Sequence, residues 1–192
     1  MQYCRKCPDA VVEIRGGVDV PQLTGCVQFY QENGCVLIVA RISGLPRVSE
    51  TGFFGFHIHQ GGSCCGADFS KAGSHYNPTG QAHPKHAGDL PPLLACQSNA
   101  YLSVKIDRFS VNEIIGQTVV IHSDPDDFHS QLAGNAGKKI ACGVIRKRQL
   151  YSKPLPLPIT GTGEVLLVYF VLLGVVWRVS LMPLDDKKYD CH

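Results

Sequence analysis

The sequence predicts an all-β fold, a sandwich or barrel, on three observations. Short runs rich in β-branched and aromatic residues recur along the chain, separated by Gly, Asn, Asp and Pro. Two of them flank Glu32-Asn33-Gly34, and Asn-Gly between such runs marks a tight hairpin. No segment carries a convincing helical period.

The elements follow in order. Ala10 to Arg15 reads as a short strand ended by a Gly16-Gly17 turn. Leu23 to Tyr30 and Gly34 to Ile42 are the arms of the hairpin, and Phe53 to His59 is the next clear strand. Pro91-Pro92-Leu93-Leu94 reads as loop and core filler. Tyr101 to Ile106, Gln117 to His122 and Lys139 to Ile145 complete the set. Cys26, Cys35 and Cys96 lie in or beside apolar strands and are expected to be buried free thiols, acting as small hydrophobes.

Length and composition bound the function. At 192 residues, 44% hydrophobic and 18% charged, one domain with a sizeable core is expected. A net charge of +2 is too near neutral to suggest a nucleic-acid partner. Nine cysteines leave at least one unpaired or paired between chains. Met1 to Cys7 lacks the apolar run of a secretory signal, which predicts a cytoplasmic protein. Cys4 and Cys7 form a CxxC with no second pair to complete a tetrahedral metal site, so a frayed N-terminus is expected there.

Chemistry concentrates between Gly55 and Asp89, which holds five of the eight histidines in a Gly-rich run. On a strand, His57 and His59 share one face because side chains alternate. His75, His83, His86 and Asp89 follow in a segment too broken by Gly and Pro to be helical, and His122 ends the apolar run Thr118 to Ile121. Imidazoles with one carboxylate suit zinc, and an all-imidazole set suits copper as well. The ligands are sufficient for two metals.

These blocks, GFHIHQ, AGSHYNP, HPKHAGDL, VVIHS and GNAGKKIACGVI, resemble the copper/zinc superoxide dismutase family, in family order over roughly Ala10 to Ile145. The resemblance implies a flattened eight-stranded Greek-key β-barrel whose loops, about residues 60–100 and 123–138, form the metal site and channel mouth. It implies copper on His57, His59, His75 and His122. Zinc would sit on His75, His83, His86 and Asp89, with His75 bridging the ions as an imidazolate. It also implies superoxide, a small anion, as substrate, converted to oxygen and hydrogen peroxide. His129 and His192 match no ligand position.

Further roles come from the same resemblance. The family pairs the position of Cys142 with a cysteine in the loop after the HxH strand. Cys64 and Cys65 are both candidates, and the count back from His75 favours Cys64. Asp126 and Asp127 match an Asp-Asp pair, the first of which would link a copper histidine to a zinc histidine. Lys139 stands where the family carries the arginine that faces the substrate. It keeps the positive charge but not the planar fork of donors. Gln60 replaces an acidic residue at the channel rim.

The chain then divides into an N-terminal segment 1–9, a dismutase-like domain 10–148 and a tail 149–192. In the tail an extended Lys153-to-Pro158 linker precedes a 13-residue apolar run, Val165 to Trp177, short of the ~20 residues a spanning helix needs. A membrane anchor and an irregular extension are both readings of it. A homodimer and weak membrane association through the tail are compatible with the sequence. The alternative function is a copper-binding or copper-delivery module on the same barrel. Members in that role often lack a copper ligand, and here all four positions are filled.

Overall fold

In a computed structural model, residues 7–47, 51–66 and 68–148 are described. The expectations for Cys4, the Pro-rich linker and the apolar run of the tail lie outside the described residues. Alternation builds the first strand, β1 (Ala10–Gly16): Ala10, Val12 and Ile14 are buried, while Glu13 and Arg15 face solvent. The hairpin arms are β2 (Thr24–Glu32) and β3 (Cys35–Ser43), joined through Asn33-Gly34 with Glu32 opposite Cys35.

The run that carries the HxH pair is split. Phe53–Phe54 form β4 and Phe56–His59 form β5, with Gly55 between them. Leu93–Cys96 form β6 and Asn99–Ile106 form β7. A four-residue helix, α1 (Val111–Ile114), leads into β8 (Thr118–His122), and β9 (Lys139–Val144) and β10 (Arg146–Lys147) end the order. No helix among the described residues is long and apolar enough to cross a membrane.

Every ladder is antiparallel, in the order β4-β6-β7-β3-β2-β1-β9-β8-β5, with β10 beside β1. The two ends of that order, β4 and β5, are neighbours in the chain, so the sheet is a nearly closed barrel with Gly55 at the seam. Gly55 N donates to Asp124 O at 2.8 Å, and a Cβ at this position would come within 2.9 Å of the Ala136 Cβ. Only a residue without a side chain lets the strand cross so close to that loop. Counting β4 with β5 and β9 with β10 as interrupted single runs, the ten segments reduce to the eight strands of a Greek-key barrel.

The core fills the barrel with Phe29, Phe54, Phe56, Ile38, Ile58 and Leu93, all essentially inaccessible. Two elements differ from the sequence expectation. Leu93 and Leu94 belong to a strand rather than a loop, paired to β4 on one side and β7 on the other. The β6–β7 turn is built on Gln97 and Ser98, both in the left-handed region at φ 49° and 64°, without the glycine or asparagine that signals such a turn. Helix α1 carries a capping box, with Glu113 accepting from Ser110 N at 2.6 Å and Ser110 Oγ at 2.7 Å, and it buries Val111 and Ile114. The thiols differ as well: Cys96 is exposed and Cys26 and Cys35 are half-buried. Each sits at a position where its strand meets solvent.

Cys64, in the loop after β5, is disulfide-bonded to Cys142 on β9. Cys65 is itself in a disulfide and is not the partner of Cys142. The bond lies in a small apolar cluster with Ala72, Val120 and Phe69, so loop and barrel are packed as well as cross-linked. Closing a loop over a sequence separation of 78 restricts the unfolded chain. Cys142→Ser should therefore lose ~2–5 kcal/mol in equilibrium denaturation, and Cys64→Ser should match it. Unchanged midpoints in both variants would mean that packing alone holds the loop.

Candidate metal centre

The centre is assembled on β5. Phe56 and Ile58 turn into the core, while His57 and His59 occupy the opposite face, exposed by only 0% and 2%. The long loop returns antiparallel along this strand and brings Asp89 opposite His57 and His75 opposite His59. Backbone bonds hold that return, among them Ile58 N to Gly88 O at 2.9 Å, Tyr76 N to Ile58 O at 2.8 Å and Gln60 N to Ser74 O at 2.9 Å, and Gly88 N to Tyr76 O at 2.8 Å ties the loop to itself. A Cβ on Gly88 would lie 2.3 Å from Ile58 O, so a glycine is required for the loop to dock. His122, the last residue of β8, reaches the same place, because β8 pairs with β5.

Two clusters of ligand atoms result, one of His57, His59, His75 and His122 and one of His75, His83, His86 and Asp89, every member buried. His75 belongs to both. A third grouping, His83 with Asp126 and Asp127, overlaps the second cluster. His129 stands apart, exposed and bonded to Asp127.

Hydrogen bonds to carbonyls and carboxylates take one nitrogen of most of these rings and leave the other without such an acceptor. In the first cluster His59 Nδ1 pairs with Gly73 O at 2.9 Å and His122 Nδ1 with Gly137 O at 3.3 Å. His57 Nε2 pairs with Asp126 Oδ2 at 2.8 Å, and His75 Nδ1 with Asp89 Oδ1 at 2.7 Å. What remains is His59 Nε2 and His122 Nε2, 3.2 Å apart, with His57 Nδ1 and His75 Nε2 buried and unpaired. In the second cluster His83 Nδ1 and His86 Nδ1 are also without hydrogen bonds, 3.1 and 3.3 Å from the Asp89 oxygens.

Buried nitrogens left unpaired are costly, and a cation is the partner that satisfies several imidazole lone pairs at once. The donor sets fit copper and zinc: four imidazole nitrogens in one case, three and a carboxylate in the other. His57, His59, His83 and His122 are each held through the other nitrogen by a carbonyl or carboxylate, the usual support of metal-binding histidines. Asp126 supports both clusters, because its second oxygen lies 2.9 Å from His83 Nε2.

Electrostatics point the same way. Burial lowers His59 to about 2 and His122 to about 3, and it also lowers His57 against the opposing pull of Asp126. The neighbouring imidazoles and Lys139 lower His59 and His122 further. These rings are neutral at ordinary pH and present lone pairs. For Asp126 burial acts upward, but the bonds from His57, the Phe128 amide and His83 outweigh it and hold the carboxyl at about 2. Asp89 is likewise below its ordinary value, its burial overcome by His75 and the other two histidines.

Lys139 opens β9 beside the first cluster, and burial lowers its pKa. Its Nζ donates to Gly73 O at 2.8 Å, the carbonyl that His59 Nδ1 also uses, and lies 3.5 Å from Phe69 O. Gln60, on the same side, donates to Ser74 Oγ at 2.9 Å. Two supporting residues escaped the sequence reading. Gln131 pairs its amide with the His83 backbone, accepting from N at 3.1 Å and donating to O at 2.9 Å. Arg108 reaches the backbone of the second cluster. A lone Gln or Arg in a loop carries no motif, so only the fold reveals either one.

The sequence profile described as copper/zinc superoxide dismutase matches residues 23–145. Superoxide dismutase (Cu-Zn) 2 of Aquifex aeolicus is 38% identical over 140 residues, covering 65% of this chain and 80% of its own. Superoxide dismutase (Cu-Zn) 3 of Arabidopsis thaliana is 36% identical over 138 residues, with 63% and 81% covered. A second Aquifex aeolicus protein, superoxide dismutase (Cu-Zn) 1, is 37% identical over 137 residues, with 64% and 79% covered.

The lowered histidines make a prediction for the metal-free protein. A ring whose pKa falls from 6.5 to about 2 or 3 on folding binds its proton more tightly when unfolded. Stability from these groups is complete above the unfolded value and is lost as pH falls toward the folded ones. Asp126, lowered from 3.8 to about 2, acts in the same direction at the acid end of that window. Melting temperatures of the metal-free chain should hold steady above pH ~6.5 and decline progressively below it. A flat profile between pH 6.5 and 4 would show that the rings titrate normally.

Proposed function

The chain belongs to the copper/zinc superoxide dismutase family, and from that membership we propose that it disproportionates superoxide to oxygen and hydrogen peroxide. Copper would be held by His57, His59, His75 and His122, and zinc by His75, His83, His86 and Asp89. The observation that carries this reading is the set of buried, unpaired imidazole nitrogens facing two points that share His75. When bound, copper supplies the one-electron chemistry by alternating between Cu(II) and Cu(I), and zinc a fixed positive charge.

The protein's own part is to place a proton, an anion and two rigid ligand sets. His75 has Nδ1 in the second cluster, against Asp89, and Nε2 bare toward the first. A ring so placed would contribute one nitrogen to each set, and its bare Nε2 can hold a proton where the peroxide forms. Two superoxide anions and two protons give one oxygen and one hydrogen peroxide; His75 Nε2 delivers one proton and water the other. Asp126 keeps His57 and His83 from rotating, so the two sets hold their spacing. Lys139 places a positive charge that acts on both His59 and His122. It acts on the anion through its charge, and its bond to Gly73 O keeps that charge in place.

Purified full-length protein should contain one copper and one zinc per chain and dismutate superoxide. Full metal content without turnover would favour the copper-delivery alternative. His75→Ala should disturb the content of both ions in elemental analysis, whereas His83→Ala should lose zinc first and keep part of the copper-centred activity. Full stoichiometry of both ions in His75→Ala would refute the bridge.

Lys139→Ala should lower the second-order rate by about tenfold at low salt and flatten its dependence on ionic strength, with metal content unchanged. Lys139→Arg should match or exceed the parent, since a guanidinium both attracts and orients an anion. An undiminished salt dependence in Lys139→Ala would move the steering charge elsewhere, with Lys138 next.

A further inference from the structure

We propose that Arg108 is a positioning residue that clamps the turn supplying His86 and Asp89 to the second cluster. This rests on the reading of His75, His83, His86 and Asp89 as a zinc set. Arg108 lies between β7 and α1, and its Nη1 donates to three carbonyls of one short segment: Pro84 O at 3.3 Å, His86 O at 3.1 Å and Asp89 O at 3.1 Å. The turn has few bonds of its own; Lys85 N donates to Ala82 O at 2.8 Å, Asp89 N to His86 O at 3.2 Å and His86 N to Asp89 Oδ2 at 3.0 Å.

Three carbonyl oxygens gathered about one point repel one another, and a guanidinium is the side chain that offsets this, being a permanent cation with several donors in one plane. The bonds go to backbone and leave the imidazole and carboxylate atoms free for an ion. The post behind the clamp is firm. Phe109, the next residue, is only 7% exposed and belongs to the core, and Val111 at the start of α1 is 4% exposed. Arg108 thus ties the carbonyl side of the turn to the barrel, while the side chains of His86 and Asp89, 6% and 8% exposed, complete the buried cluster. His57, His59 and His122 stand on β5 and β8 and are positioned by sheet pairing instead. Loss of the clamp should loosen the second cluster and spare the first.

The test uses the full-length protein loaded with zinc alone, and separately with Co(II) as a coloured probe of the same set. Arg108→Met keeps the aliphatic stem and removes charge and donors; Arg108→Lys keeps the charge. Challenged with a chromophoric chelator, Arg108→Met should release zinc about 10–100-fold faster than the parent. Amide exchange at Lys85, His86 and Asp89 should quicken in its metal-free form, with the circular dichroism of the barrel unchanged. Arg108→Lys should restore most of the slow release. A lower melting temperature in Arg108→Met with zinc release equal to the parent's would reduce Arg108 to a stabilising contact and overturn the proposal. Release from Arg108→Lys as fast as from Arg108→Met would overturn it too. A parent that binds neither zinc nor Co(II) would sink the zinc assignment itself, and the clamp with it.

Discussion

Asp126 is the group on which the geometry of both clusters depends. One of its oxygens takes His57 Nε2 at 2.8 Å and the other takes His83 Nε2 at 2.9 Å, while the Phe128 amide bonds to it at 2.7 Å. A carboxylate in that position accepts and cannot donate, so both rings carry their proton on Nε2 and turn the Nδ1 lone pair away from it. The two lone pairs face different clusters. A single side chain therefore sets tautomer and ring direction in both clusters, and their spacing follows from it.

Around that bridge the backbone does the remaining work. The loop from 60 to 92 would be free to wander if it were held by its ends alone. It is pinned instead by its return along β5, by the Cys64–Cys142 bond and by the Gln131 amide on His83. The anchors come from separate parts of the barrel, which suits a site that must keep unpaired nitrogens buried. That burial is unfavourable until a cation is bound, so metal binding and the stability of this half of the molecule are coupled. The depressed histidines express the same coupling: the surroundings that strip them of protons prepare them as ligands.

Much of the fold was legible because local chemistry and tertiary demand agree. The Asn33-Gly34 hairpin, the alternation in β1 and the apolar run of β8 each carry their own signal. The failures fall where they disagree. The strand of Leu93 and Leu94 follows two prolines and precedes a turn whose left-handed residues are Gln97 and Ser98, so local preference argued against it and pairing with β4 and β7 overrode that. Helix α1 is too short to show a period, although Ser110 and Glu113 had written its capping box. Cys96 sits beside apolar neighbours in sequence but ends on the surface, because a strand terminus follows register rather than composition.

The candidate site divides in the same manner. Sequence alone determined which side chains are present and that they suffice for two ions, since ligand chemistry belongs to the residue. Only the tertiary structure decided which nitrogen of each ring is bare. The other nitrogen is taken by Gly73 O for His59, Gly137 O for His122, Asp89 for His75 and Asp126 for His57, acceptors 14, 15, 14 and 69 residues away. Imidazole has two nearly equivalent nitrogens and one proton, so the choice between them is made by the acceptor that the fold delivers.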